Sequence, residues 1–172
     1  MKASNQRVQM RRDSQTVASA PQIQHPLSHG GLAAPSRHLC EFLLAIEPDI
    51  AAVAAARRSA GQARLFGWLV DSSRDALGPR EWIGSEIALQ QAIAELSGNL
   101  FFQALQTLVM TALSSVLLEV PVWRLEMLHQ DLVGPNRLLA SAIADGDDLR
   151  ARTGALGVIH EIELALAMEN GN

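Results

Sequence analysis

The stretch that decides the fold is Trp82–Asn99, WIGSEIALQQAIAELSGN. Trp82, Leu89, Ile93 and Leu96 recur at helical spacing and mark one buried face, and Ser97-Gly98-Asn99 closes the run with residues that tolerate a left-handed C-cap. The pattern predicts one amphipathic helix. Glu86 falls on that same apolar stripe, one turn from Trp82 and from Leu89, and Gln90 follows it at i,i+4, bordering Ile83, Ile87 and Ala94. Two polar groups therefore point inward. An unpartnered buried carboxylate is costly, so Glu86 is expected to be paired, protonated or facing a wet cavity. A pocket is the economical expectation.

With these residues in view, the chain resembles a known pattern. An acidic residue, a polar residue of ligand type four positions on, and then Ala-x-Ala-x-x-Ser-Gly-Asn opening a further apolar helix is similar to the central motif of the FadR-type C-terminal effector domain (FCD) of GntR-family transcription regulators. Leu39–Arg58, LCEFLLAIEPDIAAVAAARR, is similar to that family's opening helix pair, with its Leu-Glu-Pro-Glu-Ala-Ala signature appearing as Ile46-Glu47-Pro48-Asp49-Ile50-Ala51. Asn136–Arg152, NRLLASAIADGDDLRAR, resembles its late helix, turn and final helix. The likeness runs from about Pro35 to Met168, in the family's order and spacing.

Composition supports a single packed unit. A chain of 172 residues with 48% hydrophobic residues is long enough to bury a core, and Gly and Pro gather outside the periodic segments. A net charge of −4 gives no general attraction to phosphate backbones, so the globular part is not expected to bind nucleic acid directly. Cys40, the only cysteine, excludes an intrachain disulfide and a Cys-based zinc site and fits a reducing cytoplasm; it reads as a small buried residue. No charge occurs from Leu96 to Leu118, yet polar residues such as Gln103, Gln106, Thr107 and Thr111 interrupt the run, so a core helix is expected and not a membrane span. The N-terminus lacks the apolar region of a secretory signal.

Residues 1–35, rich in Gln and Ser and punctuated by Pro and Gly, are expected to form a disordered tail, made mildly basic by Arg7, Arg11 and Arg12. A GntR-type regulator carries a winged helix-turn-helix ahead of this domain, and so polar a segment is not expected to build one. Residues 36–169 are expected to form the helical domain. Ser36 caps a helix through about Ile46, Pro48 restarts the chain as a second helix to Arg57-Arg58, and Ser59 with Gln62 has capping-box spacing for the next, whose core face is Leu65, Phe66, Leu69 and Val70. After Asn99, Phe101, Leu105, Leu108, Val109, Ala112 and Val116 describe a long apolar helix in the middle of the bundle, ending by Pro121. A short helix over Val122–Leu132 precedes Gly134-Pro135; another starts at Asn136 and ends in the tight turn Asp145-Gly146-Asp147-Asp148. The last helix runs to about Met168, with Gly154 and Gly157 as sites of close packing or local strain.

The resemblance also implies a site. Many members of the family hold a divalent metal through an aspartate and a histidine on the central helix, a histidine opening the late helix and a histidine on the final one. Those positions fall here on Glu86, Gln90, Asn136 and Val158. Glutamine and asparagine are weak neutral ligands and valine is none, so no metal cofactor is expected. An arginine that meets an anionic effector in the family is replaced by Leu43. The remaining groups, Glu86, Gln90 and Asn136, suit a neutral or cationic polar ligand, or else hydrogen-bond one another in a purely structural cluster. His160 lies two residues past Val158, about 200° around a helix, and should face away; His129 reads as a surface residue. No catalytic triad, phosphate-binding glycine loop or HExxH pattern is present, so no enzyme is expected.

These readings combine into an all-α, antiparallel bundle of about six to seven helices. Its expected role is the effector-binding and dimerisation domain of a FadR-like regulator, cytoplasmic, without its own DNA-binding head and with a degraded metal site. Its expected partners are a small-molecule effector and a second copy of the chain or an intact regulator in a heterodimer, with no membrane. The alternative is a helical interaction module, or remnant of a truncated regulator, that folds but binds no small ligand.

Overall fold

A computed structural model describes residues 33–75 and 78–167. The described chain forms six helices and no strand: α1 (Ala33–Arg57), α2 (Ala60–Ser73), α3 (Pro79–Leu96), α4 (Leu100–Leu117), α5 (Val122–Asp145) and α6 (Asp148–Ala167). It is an all-α bundle, as the periodicities predict. α1 and α5 pack along α6, α2 lies against α5 and α3, and α3 joins α1 to α4. The expected tail falls outside the described residues except for Ala33–Pro35, which belong to α1. Residues 168–172, which include the expected end of the last helix, also lie outside them.

Local signals set most of the boundaries. Ser59 and Gln62 form the expected capping box, with Ser59 N donating to Gln62 Oε1 at 2.8 Å and Gln62 N to Ser59 Oγ at 3.2 Å. Gly98 (φ 63°) and Gly146 (φ 75°) take the left-handed conformation that ends α3 and α5. Gly154 is a site of close packing: a Cβ there would lie 2.9 Å from Leu139 Cα on α5, so the two helices approach through the missing side chain. The paired arginines ending α1 cap two other helices. Arg57 Nη1 donates to Ser97 O (3.1 Å), and Arg58 donates through Nε to Ile143 O (2.7 Å) and through Nη2 to Ala144 O (2.8 Å).

Four expectations about the helices need correction. Pro48 does not divide a helix pair: α1 starts at Ala33, three residues before Ser36, and runs through Pro48 to Arg57. Pro135 likewise lies inside a single helix, α5, and does not separate two. Each proline removes one backbone hydrogen bond, at about 3 kcal/mol in a helix interior. Unbroken helices keep Leu43, Ile50 and Ala54, and Leu132, Leu139 and Ile143, on continuous buried faces, which offsets that loss. The third correction concerns α4. Its buried residues are Gln106, Val109, Met110, Leu113, Val116 and Leu117, whereas Phe101 is 85% and Leu108 70% exposed. The helix sits at the edge of the bundle, held by α3 and less by α1, and not in its middle. By length and composition it could cross a membrane, with 33% of it buried. On α2, Phe66 and Val70 are buried as expected while Leu65 faces solvent.

Candidate functional site

The inward acid of α3 is the centre of a buried polar cluster. Glu86 is 1% exposed, held inside by the stripe of Trp82, Leu89 and Ile93. Gln90 Nε2 donates to Glu86 Oε1 at 3.0 Å from the next turn of the same helix. Asn136 Nδ2, reaching across from α5, donates to Glu86 Oε2 at 2.8 Å. The structure therefore brings together the three polar residues singled out from the sequence, and each carboxylate oxygen has one amide donor. Val158 on α6 and Leu43 on α1 are buried in the apolar core. Burial pushes the Glu86 carboxyl above its usual range, against the opposing effect of the two amide hydrogen bonds.

A second buried acid belongs to the same interior. Glu47 on α1, next to Pro48, accepts a 2.7 Å hydrogen bond from Gln106 Nε2 on α4. Burial, with a further push from the Glu86 charge, raises its carboxyl from 4.5 to about 7 although the Gln106 bond opposes the shift. Gln106 is fully buried and its Oε1 has no hydrogen-bond partner. A proton on Glu47 would give that oxygen a donor and close a reciprocal acid–amide pair. Sequence reasoning misses this pair, since Glu47 reads as part of the Glu-Pro signature and Gln106 as an interruption of an apolar run. A signal exists all the same: Glu47 lies at helical spacing from Cys40, Leu43, Ile50 and Ala54, all of them buried.

Around the cluster, Asn136 and Trp82 border a cavity of about 10 Å³, also lined by Ser73, Arg74 and His129. That is room for about one water. His129 is half-buried, its ring stacked on Trp82 with centroids 5.5 Å apart, so it is more than the surface residue expected. The His160 side chain is 63% exposed beside Glu163 and faces away, as its position predicts.

The donor set does not suit a transition metal. Gln90 and Asn136 turn their N–H groups toward the Glu86 carboxylate, and Val158, on which the resemblance places a fourth ligand, is a buried apolar side chain that cannot coordinate. What the arrangement can do is hold a carboxyl group between two amides and exchange those donors for others of similar chemistry.

A family model, the FCD domain, matches residues 38–160. Among solved structures, Streptococcus agalactiae GntR is similar with a TM-score of 0.65 and 21% sequence identity, over 76% of this chain and 58% of that one. That likeness is one of fold, and this chain spans 58% of the length of the chain it matches. No curated protein matches.

Proposed function

The chain belongs to the FCD domain family, a regulatory and not an enzymatic family, and on that premise we propose that it is the effector-binding and dimerisation domain of a GntR/FadR-type transcription regulator whose metal position has been given over to amides. The observation that carries this reading is Glu86, a fully enclosed carboxylate whose two oxygens are held by Gln90 on α3 and Asn136 on α5. A neutral or cationic polar effector supplies N–H or O–H donors and can take the place of either amide; a small carboxylate finds neither metal nor the arginine replaced by Leu43. The Glu86–Asn136 bond ties α3 to α5, so a ligand that displaces it acts on the spacing of those helices. An effector shifts a regulator only through contacts that differ between its states, and a bond between two helices is such a contact. In such a regulator DNA reading is the task of a winged helix-turn-helix, and this domain would act on it within one polypeptide or through an intact regulator paired with this chain in a cytoplasmic heterodimer.

A second reading, a helical interaction module that binds no small ligand, is favoured by the closure of the cluster and the water-sized cavity beside it. Thermal unfolding of the full chain against neutral polar and cationic metabolites, and against zinc, nickel and manganese, separates the two. A binding ligand at a hundredfold excess over its Kd stabilises the fold by about 2.7 kcal/mol. The proposal expects such a shift with a polar metabolite, lost in Glu86→Gln, and none with the metals. Silence from every metabolite class favours the interaction module.

A further inference from the structure

Helix α4 presents to solvent a face built for burial. Phe101, Ala104, Leu108, Thr111, Ser115 and Leu118 are all exposed, and they follow one another at spacings of 3, 4, 3, 4 and 3, the repeat by which one helix packs along another. From this we infer that the outer face of α4 is where two copies of the chain pair, α4 against α4 and antiparallel, an inference that rests on the dimerisation part of the proposed function.

Four observations choose a second copy as the occupant. First, no charged residue occurs from Leu96 to Leu118 in a chain of net charge −4, with Glu95 beside Ala104 at one end, so two acidic copies can meet along this ridge with little repulsion. Second, the polar side chains on it are already satisfied. Thr107 Oγ donates to Gln103 O at 3.0 Å, Thr111 Oγ to Thr107 O at 2.8 Å and Ser115 Oγ to Thr111 O at 3.0 Å, so covering them strands no hydroxyl donor. Third, the spacing reads the same in both directions. About a two-fold axis midway along the helix, Phe101 meets the partner copy's Leu118, Ala104 its Ser115 and Leu108 its Thr111, which puts the small residues opposite each other where the backbones approach. The contact closes on itself as a two-fold dimer must. Fourth, Val122 and Trp123, also exposed, follow Leu118 at the end of the ridge. A ridge about 27 Å long is narrower than the ~800 Å² per partner of a stable interface, and these side chains extend it.

A lipid surface is the competing occupant and fits less well. The inner face of α4 is fixed to the bundle through Gln106 and Glu47, and no Lys or Arg occurs from Leu96 to Glu119 to meet lipid phosphates.

The test is sedimentation equilibrium of the full chain beside Leu108→Glu, an exposed position whose change leaves the fold intact by circular dichroism. A wild-type dimer is expected, with a dimer Kd raised at least about a hundredfold in the variant, because symmetry places two carboxylates in one seam. Mixing Ala104→Cys and Ser115→Cys chains should give a disulfide-linked mixed dimer, while neither alone cross-links; a parallel pairing reverses that pattern and overturns the register. Cys40 does not interfere, since burial pushes its thiol up to about 11. A variant as dimeric as wild type overturns this interface and leaves the dimerisation reading standing. A wild-type monomer overturns both. Wild-type binding to phosphatidylcholine vesicles, lost in Leu108→Glu, assigns the face to lipid and overturns the inference.

Discussion

Replacing Glu47 with glutamine should stabilise this protein above neutral pH. The wild-type carboxyl stands at 4.5 in an open chain and about 7 in the fold, chiefly because burial penalises its charge. A folded state that binds the proton more tightly is most stable below the unfolded value of 4.5. It loses that advantage as pH rises through the window from 4.5 to about 7, after which both states are ionised and the loss is complete. At about 1.36 kcal/mol per pKa unit the total is about 3 kcal/mol. Glu47→Gln removes the ionisation, and its amide can donate to the orphaned Gln106 Oε1 while still accepting from Gln106 Nε2. At pH 8 the variant should exceed wild type by up to about 3 kcal/mol, or roughly 6–12 °C in Tm for a domain of this size. At pH 5, near the start of that window, the difference should fall to under about 1 kcal/mol. Urea unfolding at pH 5, 6, 7 and 8 measures both, and a variant less stable than wild type at pH 8, or one with an unchanged pH slope, would refute the reasoning.

Two further substitutions probe the bundle. Asn136→Ala leaves Glu86 Oε2 buried without its donor and should cost about 2–3 kcal/mol by urea unfolding. Gly154→Ala places a Cβ 2.9 Å from the Leu139 Cα, a backbone atom that cannot rotate away, and should cost about 1–3 kcal/mol; a neutral effect would show that α5 and α6 have room to separate.

How much of the fold is legible in the sequence varies with the kind of signal. α3 is readable in detail because its polar and apolar residues alternate with a clear helical period, and that period alone turns Glu86 and Gln90 inward. Asn136 comes by a different route, through the resemblance of the late helix, since nothing local ties a residue on α5 to one on α3. α4 resists for the opposite reason. It has no charge, and the uncharged stripe of Gln103, Thr107, Thr111 and Ser115 marks its outer face only weakly beside so many Leu, Phe, Val and Met residues, so a reading by hydrophobicity turns Phe101 and Leu108 inward when the buried polar residue is Gln106. Pro48 and Pro135 mislead because a local rule counts the missing N–H but not the core that a continuous helix buries. The pairing of Glu47 with Gln106 spans α1 and α4 and becomes visible only when the two helices are placed side by side.

The claim on which the rest turns is that amides from α3 and α5, and no metal ion, complete the surroundings of Glu86. Elemental analysis of the purified full chain after exposure to zinc, nickel and manganese tests it most directly. The expected result is no stoichiometric metal and the same content in Glu86→Ala. One ion per chain, lost in Glu86→Ala, would contradict it.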